Sequence, residues 1–448
     1  MRICIINEFF YPDSTGGTGN TLSDLARSLA DNHEDLDIDV ITSTNLYRKA
    51  QTELAQTENW DGIKINRLRT THPNGLSLPG RLIANLQFTL MAFFKLRTLG
   101  KYDMILVATA PPMVAFAASL YKSLTGTPFV YIIYDLEPDR SVTLKVMGKN
   151  HPFVQIFMVL QRSCLVAASR IVALGDCMRD YVVDAYKLPV SKFDVIHIGS
   201  NEGDVTPGPR ISKFRDANKI DGFVILYSGN FGRYHNFDTV LDAAKSLNST
   251  HQEIQFVLVG DGAQKSHIIQ RIADEHIVNV RVFDFVPMSE YSDLLATADV
   301  SLVTLEAGME KLCLPSKFYK LLASERPVIG LVSPESDVAR VINRAKCGYQ
   351  IDQGDSAKLV EVLQWFVDHP DERQQMGLNA REVFLGHFGT NAIAAQYYRT
   401  LLAAVAPTRL SGSRNIMSEN KRQEFTGKSE SLEIEKRKQG EPAATKLP

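Results

Sequence analysis

Pro315-Ser316-Lys317, in LCLPSKFYKLLASERPVIG, opens a short amphipathic helix that a Pro-Val-Ile strand follows within a few residues. A serine hydroxyl, the N–H groups of a first helical turn and the Lys317 ammonium, all pointing one way, suit a phosphate. Lys320, in the middle of that helix, is expected to face solvent. Four other loops offer related chemistry. FFYPDSTGGTGN sets Gly16, Gly17 and Gly19 ahead of a helix, where backbone N–H groups can cradle an anion or a sugar hydroxyl, or simply turn the chain. YSGNFGRYHN sets Gly229, Asn230 and Gly232 at a strand end, with Arg233 as a cation suited to a diphosphate. His235 and Asn236 in the same loop serve equally well as helix caps. LVGDG puts Gly260 at a further strand end, by itself only a turn signal, and VFDFVP (282–287) offers aromatics for a flat base or for the core.

Carboxylates complete the candidate set. Asp135, Glu137 and Asp139 follow a buried strand, and Asp135, nearest its end, can accept a proton from an attacking hydroxyl. Glu137 and Asp139 read as solvated loop acids. Glu306 and Glu310, upstream of Pro-Ser-Lys, can hold sugar hydroxyls or belong to an exposed loop. The Gly16–Gly19 run is not a dinucleotide fingerprint, because Leu22 stands where a third small residue belongs. The run also begins about ten residues beyond the strand, too far for that motif's tight turn.

These loops need a scaffold, and the pattern supplies one. Short apolar runs RICII, IDVIT, DMILVA, FVYIIY, RIVAL and FDVIH alternate with helical segments, as in a parallel sheet covered on both faces. A break at Val205–Ser212 reads as a linker. The pattern restarts with FVILYSG, IQFVLVGDG, VRVFDFVP, DVSLVTL and PVIGLV. The architecture expected is α/β, with two Rossmann-like doubly wound domains at 1–205 and 206–389, their strand ends facing a cleft. Residues 407–448, polar and charged, read as a disordered tail.

Composition narrows the function classes. Lys+Arg 49 against Asp+Glu 51 gives a formal charge of −2, so no global field recruits nucleic acid. Five separated cysteines form neither a CxxC pair nor a disulfide frame and fit a reducing compartment. No secretory signal is read at the N-terminus, and a cytoplasmic location, at the inner face of the plasma membrane, is expected. Met104–Tyr121 is uncharged over 18 residues, but Pro111-Pro112 would break a spanning helix there, so a strand, turn and helix are expected. Residues 80–97 form a helix apolar around most of its circumference: a core helix, or a membrane-surface helix with Arg81, Lys95 and Arg97 at its ends.

Read in order, FYPDSTGGTGNTLSDLARSLA, YDLEPD, YSGNFGRYHNFDTVLDAAKSL, LVGDG and PSKFYKLLASERPVI resemble the retaining GT-B glycosyltransferases of family 4 over about residues 1–405. The resemblance is greatest to the branch in exopolysaccharide and lipopolysaccharide assembly, colanic-acid enzymes included. It implies a nucleotide-sugar, UDP- or GDP-linked, held by the second domain without metal or cofactor. It also implies a lipid-linked or polysaccharide acceptor at the first domain and a last helix, about 390–406, crossing back onto that domain. Carried over by position, Gly16 and Gly17 approach the donor phosphate or acceptor, and Asp135 lies on the acceptor side. Gly229, Asn230, Arg233, Gly260, Glu310, Ser316 and Lys317 belong to the donor side.

The chain also departs from the family. Asn230 and His235 stand where many members carry Arg and Lys, so Arg233 or Lys317 must supply the charge. Leu312 and Lys320 stand where many carry a glutamate pair for sugar and ribose, and Tyr134 replaces an acceptor-side histidine. A sugar-nucleotide epimerase of the same fold, or a degenerate transferase that only binds a sugar or partner, stays open beside transfer.

Overall fold

A computed structural model describes residues 1–13, 17–46, 54–73, 76–248, 250–251 and 253–410. The first half runs β1 (Arg2–Ile6), α1 (Gly17–Asn32), β2 (Asp37–Ser43), β3 (Thr57–Trp60), β4 (Ile63–Leu68) and α2 (Leu78–Leu99). It continues through β5 (Met104–Ala108), α3 (Ala115–Thr125), β6 (Phe129–Ile133), α4 (Asp139–Thr143), α5 (Pro152–Ala167), β7 (Arg170–Ala173), α6 (Asp176–Tyr186) and β8 (Phe193–Val195). Every residue of β5 and β6 is buried, as a strand between two helical layers requires. The sheet order is β3-β4-β2-β1-β5-β6-β7-β8, parallel throughout except for the β3–β4 hairpin. Met104–Tyr121 is a strand, a Pro-Pro turn and a helix, and no helix among the described residues is long and apolar enough to cross a membrane.

After α7 (Lys213–Ala217) the second half repeats the plan: β9 (Phe223–Ser228), α8 (Asp238–Leu247), β10 (Ile254–Val259), α9 (Lys265–Asp274), β11 (Val280–Phe283), α10 (Met288–Ala296) and β12 (Val300–Thr304). Then come α11 (Lys317–Ala323), β13 (Val328–Leu331), α12 (Asp337–Ala345), β14 (Gly348–Ile351), α13 (Ser356–Asp368), α14 (Pro370–Val383) and α15 (Thr390–Leu410). This sheet is wholly parallel, ordered β11-β10-β9-β12-β13-β14. The order in which strands are added reverses between β1 and β5 in the first sheet and between β9 and β12 in the second, although both pairs are parallel. Both reversals open a crevice at the carboxyl ends of the strands.

The last helix packs on the first half. Asn391 Oδ1 accepts from Ser28 Oγ at 2.8 Å, Tyr398 stacks on His33, and buried Tyr397 lies against Tyr134. Helix α15 runs to Leu410, and the rest of the expected tail, 411–448, lies outside the described residues.

Candidate functional site

Between the two halves lies a cavity of about 500 Å³. The first half lines it with Gly17, Asn20, Thr21 and Asp24 of α1, and the hinge with Ile198–Ser200. The second half contributes Ser228 and Gly229 after β9, Phe285–Met288 after β11, Tyr291, and Ser316, Lys317 and Lys320 around α11. Gly16 lies outside the described residues.

Lys317 is the chemical centre of this cavity. Its Nζ donates to the Tyr227 hydroxyl, lies 3.3 Å from His235 Nδ1 and sits 4.1 Å from the centre of the Tyr227 ring. None of these partners is a carboxylate, and burial holds the ammonium well below the ordinary lysine range. His235 must then be neutral: burial, reinforced by Lys317, pushes it down to about 2. The Tyr227 hydroxyl in turn donates to the carbonyl of Asn230 at 2.7 Å, fixing the loop after β9. Gly229, at φ +144°, keeps that loop open, since a Cβ there would come within 2.9 Å of Lys317 Nζ. A buried lysine with neutral partners, facing a cavity, is chemically suited to an anion, whose arrival would favour its ammonium form. Because α11 is only seven residues long, the positive charge of the site rests on this ammonium more than on a helix dipole.

The other residues expected on the donor side divide. Asn230 contributes its backbone carbonyl, and its exposed side chain points towards Gly262. Arg233 is exposed and does not line the cavity, because the loop turns it outward while His235 turns in. Gly260 is structural: at φ +155°, a Cβ there would strike the Gly229 carbonyl at 1.9 Å, so it lets the loops after β9 and β10 close on each other. Glu310 is buried in a single 3-10 turn, Met309–Lys311, outside the Lys317 cavity. It shares the surroundings of Cys313 with Asp135 and Arg140, on the other side of the crevice.

Lys320 does not face solvent. Its Nζ bonds Asp204 at 3.2 Å and lies 5.7 Å from the Tyr291 ring, inside the cavity. Asp24 of α1 completes this cluster. Burial, then Asp204, pushes its carboxyl up to about 6, with Lys320 pulling it back. His235 does not act as a cap either; Asn236 does, accepting from Thr239 N at 3.1 Å. Phe283 packs on Phe214, whereas Phe285 reaches the cavity wall.

Asp135, expected on the acceptor side, follows β6. Its backbone N–H and that of Tyr134 point at Thr109 Oγ1, at 3.3 and 3.1 Å, and its carboxylate meets Arg140 at 2.8 Å. Enclosure raises its affinity for a proton and Arg140 opposes this. The next residue donates across the crevice, from Leu136 N to Leu312 O at 3.3 Å, so Asp135 stands where the two halves meet. Glu137 and Asp139 are not solvated. Glu137 binds Arg140 and Ser141, and buried Asp139 accepts from Tyr181 and Tyr186. Tyr134 is buried beneath α15 rather than free. Glu8, at the end of β1, is a buried carboxyl that burial pushes up to about 7, and nothing in its local sequence singles it out. Among the described residues, no group of three or more His, Cys, Asp or Glu is placed to hold a metal ion.

Comparison with known proteins matches both halves. The family model described as Glycosyl transferase 4-like domain matches residues 16–199, and that described as Glycosyl transferases group 1 matches residues 210–383. A curated relative, "Probable glycosyltransferase WbjE" of Pseudomonas aeruginosa, is 25% identical over 263 residues, 58% of this chain and 65% of the relative. "Putative colanic acid biosynthesis glycosyl transferase WcaI" of Escherichia coli (strain K12) is 25% identical over 349 residues, 72% of this chain and 81% of the relative. Among solved structures, Anabaena HepE superimposes with a TM-score of 0.66 in complex with UDP and 0.64 with UDP-glucose. Each is 15% identical and covers 90% of this chain and 100% of its own.

Proposed function

Because the chain belongs to the group 1, family 4-like glycosyltransferases and carries their GT-B fold, we propose that it moves a sugar from a nucleoside diphosphate donor to an acceptor held by the first half. The observation that carries this reading is Lys317, a buried ammonium with neutral partners that opens on the cavity between the two halves. The donor diphosphate lies against Lys317, Ser316 and Gly229, and its base lies towards Phe285–Met288. The UDP and UDP-glucose complexes of HepE support a uridine donor, and a guanosine donor is the alternative to be tested beside it.

Transfer proceeds with retention. The acceptor hydroxyl forms its bond to the anomeric carbon on the face from which the diphosphate leaves. The bond from that carbon to the phosphate oxygen breaks, its electron pair goes to the diphosphate, and the acceptor proton follows it there. Lys317 balances the charge that builds on the leaving group. Asp135 orients the hydroxyl from the edge of the first half. With charge neutralised by this lysine, turnover needs no added metal.

The acceptor we infer is lipid-linked or a polysaccharide, in cell-surface polysaccharide assembly at the cytoplasmic face of the membrane; the name of WcaI, a putative colanic acid biosynthesis glycosyl transferase, supports the colanic-acid branch. Incubation with UDP- and GDP-sugars and polyprenyl-diphosphate-linked glycans, in EDTA, tests the reading. It predicts nucleoside diphosphate release together with a product whose anomeric coupling matches the donor. An inverted linkage contradicts retention, and epimerised donor formed without acceptor contradicts transfer.

A further inference from the structure

The sequence leaves α2 open between a core helix and a membrane-surface helix, and the fold makes it both. Ala84, Phe88, Ala92 and Leu96 form a buried stripe, while Ile83, Leu86, Leu90 and Phe94 form an opposite one, with Ile83 70% and Phe94 62% exposed. Helix α3 repeats the arrangement, turning Ala117, Ala118 and Tyr121 inward and Phe116, Leu120 and Leu124 outward. Helix α5 repeats it again, with Ile156, Val159 and Val166 exposed. α2 packs on α3 and α3 on α5, all covering one face of the first sheet, so the three outward stripes lie side by side. Ten of the twenty large apolar side chains exposed among the described residues belong to these three helices. Isolated exposed apolar residues need no explanation, but a contiguous face does.

Charge decides what covers it. The three helices contain no aspartate or glutamate, although acids slightly outnumber bases in the whole chain. They do carry Arg81 and Arg97 on α2 and Arg162 on α5, all exposed. A second copy is a poor occupant, because two such faces brought together would set arginines against arginines with no carboxylate between them. A surface of anionic phosphates above an acyl layer complements both features.

We propose that α2, α3 and α5 together form a docking face for a bilayer containing anionic lipid, with the apolar stripes in the acyl boundary and the arginines at the phosphates. The proposal extends the reading of a lipid-linked acceptor, but docking is measurable without acceptor or donor. The test is co-sedimentation of the full chain with vesicles of phosphatidylcholine alone or mixed with phosphatidylglycerol, with folding checked by circular dichroism. The wild type should sediment with the mixed vesicles at least about tenfold more strongly than with phosphatidylcholine. Leu90→Glu combined with Phe116→Glu should abolish binding. Arg97→Glu combined with Arg162→Glu should remove its dependence on phosphatidylglycerol and on salt. A wild type that stays in the supernatant with both vesicles overturns the proposal. So does undiminished binding by the folded Leu90→Glu, Phe116→Glu variant, or a wild-type dimer that this variant converts to monomer, which would assign the face to a second copy.

Discussion

Among the described residues Lys317 meets a phenol and a neutral imidazole, so its ammonium form gains most when an anion arrives. The consequence is a pH effect of definite sign. In the free protein the lysine is held below its ordinary range, and a bound diphosphate raises it again, so the complex carries more protons than its parts. Nucleoside diphosphate affinity should therefore rise as pH falls through the window between the two lysine values. Calorimetry in buffers of different ionisation enthalpy should show proton uptake in the wild type and less in Lys317→Met. At the other edge of the crevice, Asp135→Asn should lower kcat by about a hundredfold with little change in donor KM, as misplacing the attacking hydroxyl does; equal kcat in steady-state assays contradicts the assignment. Ser316 and Lys317 are legible in sequence because Pro-Ser-Lys is one local turn. Tyr227 and His235 are not, because they stand 90 and 82 positions from Lys317 and only the fold brings them to it. Arg233 misleads for the same reason: proximity to a strand end does not say which way a loop side chain turns.

Helices and strands set two contacts that cross between the halves. Asp337 at the start of α12 accepts from the backbone N–H of Asp176 at 2.9 Å and of Cys177 at 3.2 Å, capping α6 of the other half. Gly175 leaves room for it, since a Cβ there would meet Asp337 Oδ2 at 2.1 Å. Gly175→Ala should displace that cap and cost roughly 1 kcal/mol of stability, read by denaturant unfolding. The second contact joins α1 to α11 through Asp24, Asp204 and Lys320. Asp24 binds its proton more tightly folded than unfolded, so its ionised form opposes folding above about pH 6 and this cost fades as the pH falls towards the unfolded value. Asp24→Asn should raise Tm at pH 7.5, and the gain should shrink as the pH is lowered from 6 towards 4. The β3–β4 hairpin and β14 escape the sequence pattern. TENW and GYQI are short edge strands whose side chains, buried Ile351 apart, are exposed or partly exposed, so no apolar run marks them.

At the scale of the molecule, the winding order of each sheet reverses beside the first strand of its half, and the cavity lies between those reversals. That much is legible in sequence, because fully buried parallel strands announce themselves as short apolar runs separated by helices. The relation of the halves is not, because it depends on single contacts such as Leu136 to Leu312 and Ser28 to Asn391. Lys320 shows the cost: read within its own helix it belongs in solvent, and only the hinge aspartate Asp204 explains it. The account turns on a diphosphate held at Lys317, and the most direct measurement is calorimetric titration of UDP and GDP into the wild type and Lys317→Ala. The account predicts that at least one of the two binds the wild type and binds Lys317→Ala about 10- to 100-fold more weakly, as loss of a charge-assisted contact implies. Equal affinity in the two proteins, or no binding of either nucleotide to the wild type, would contradict it.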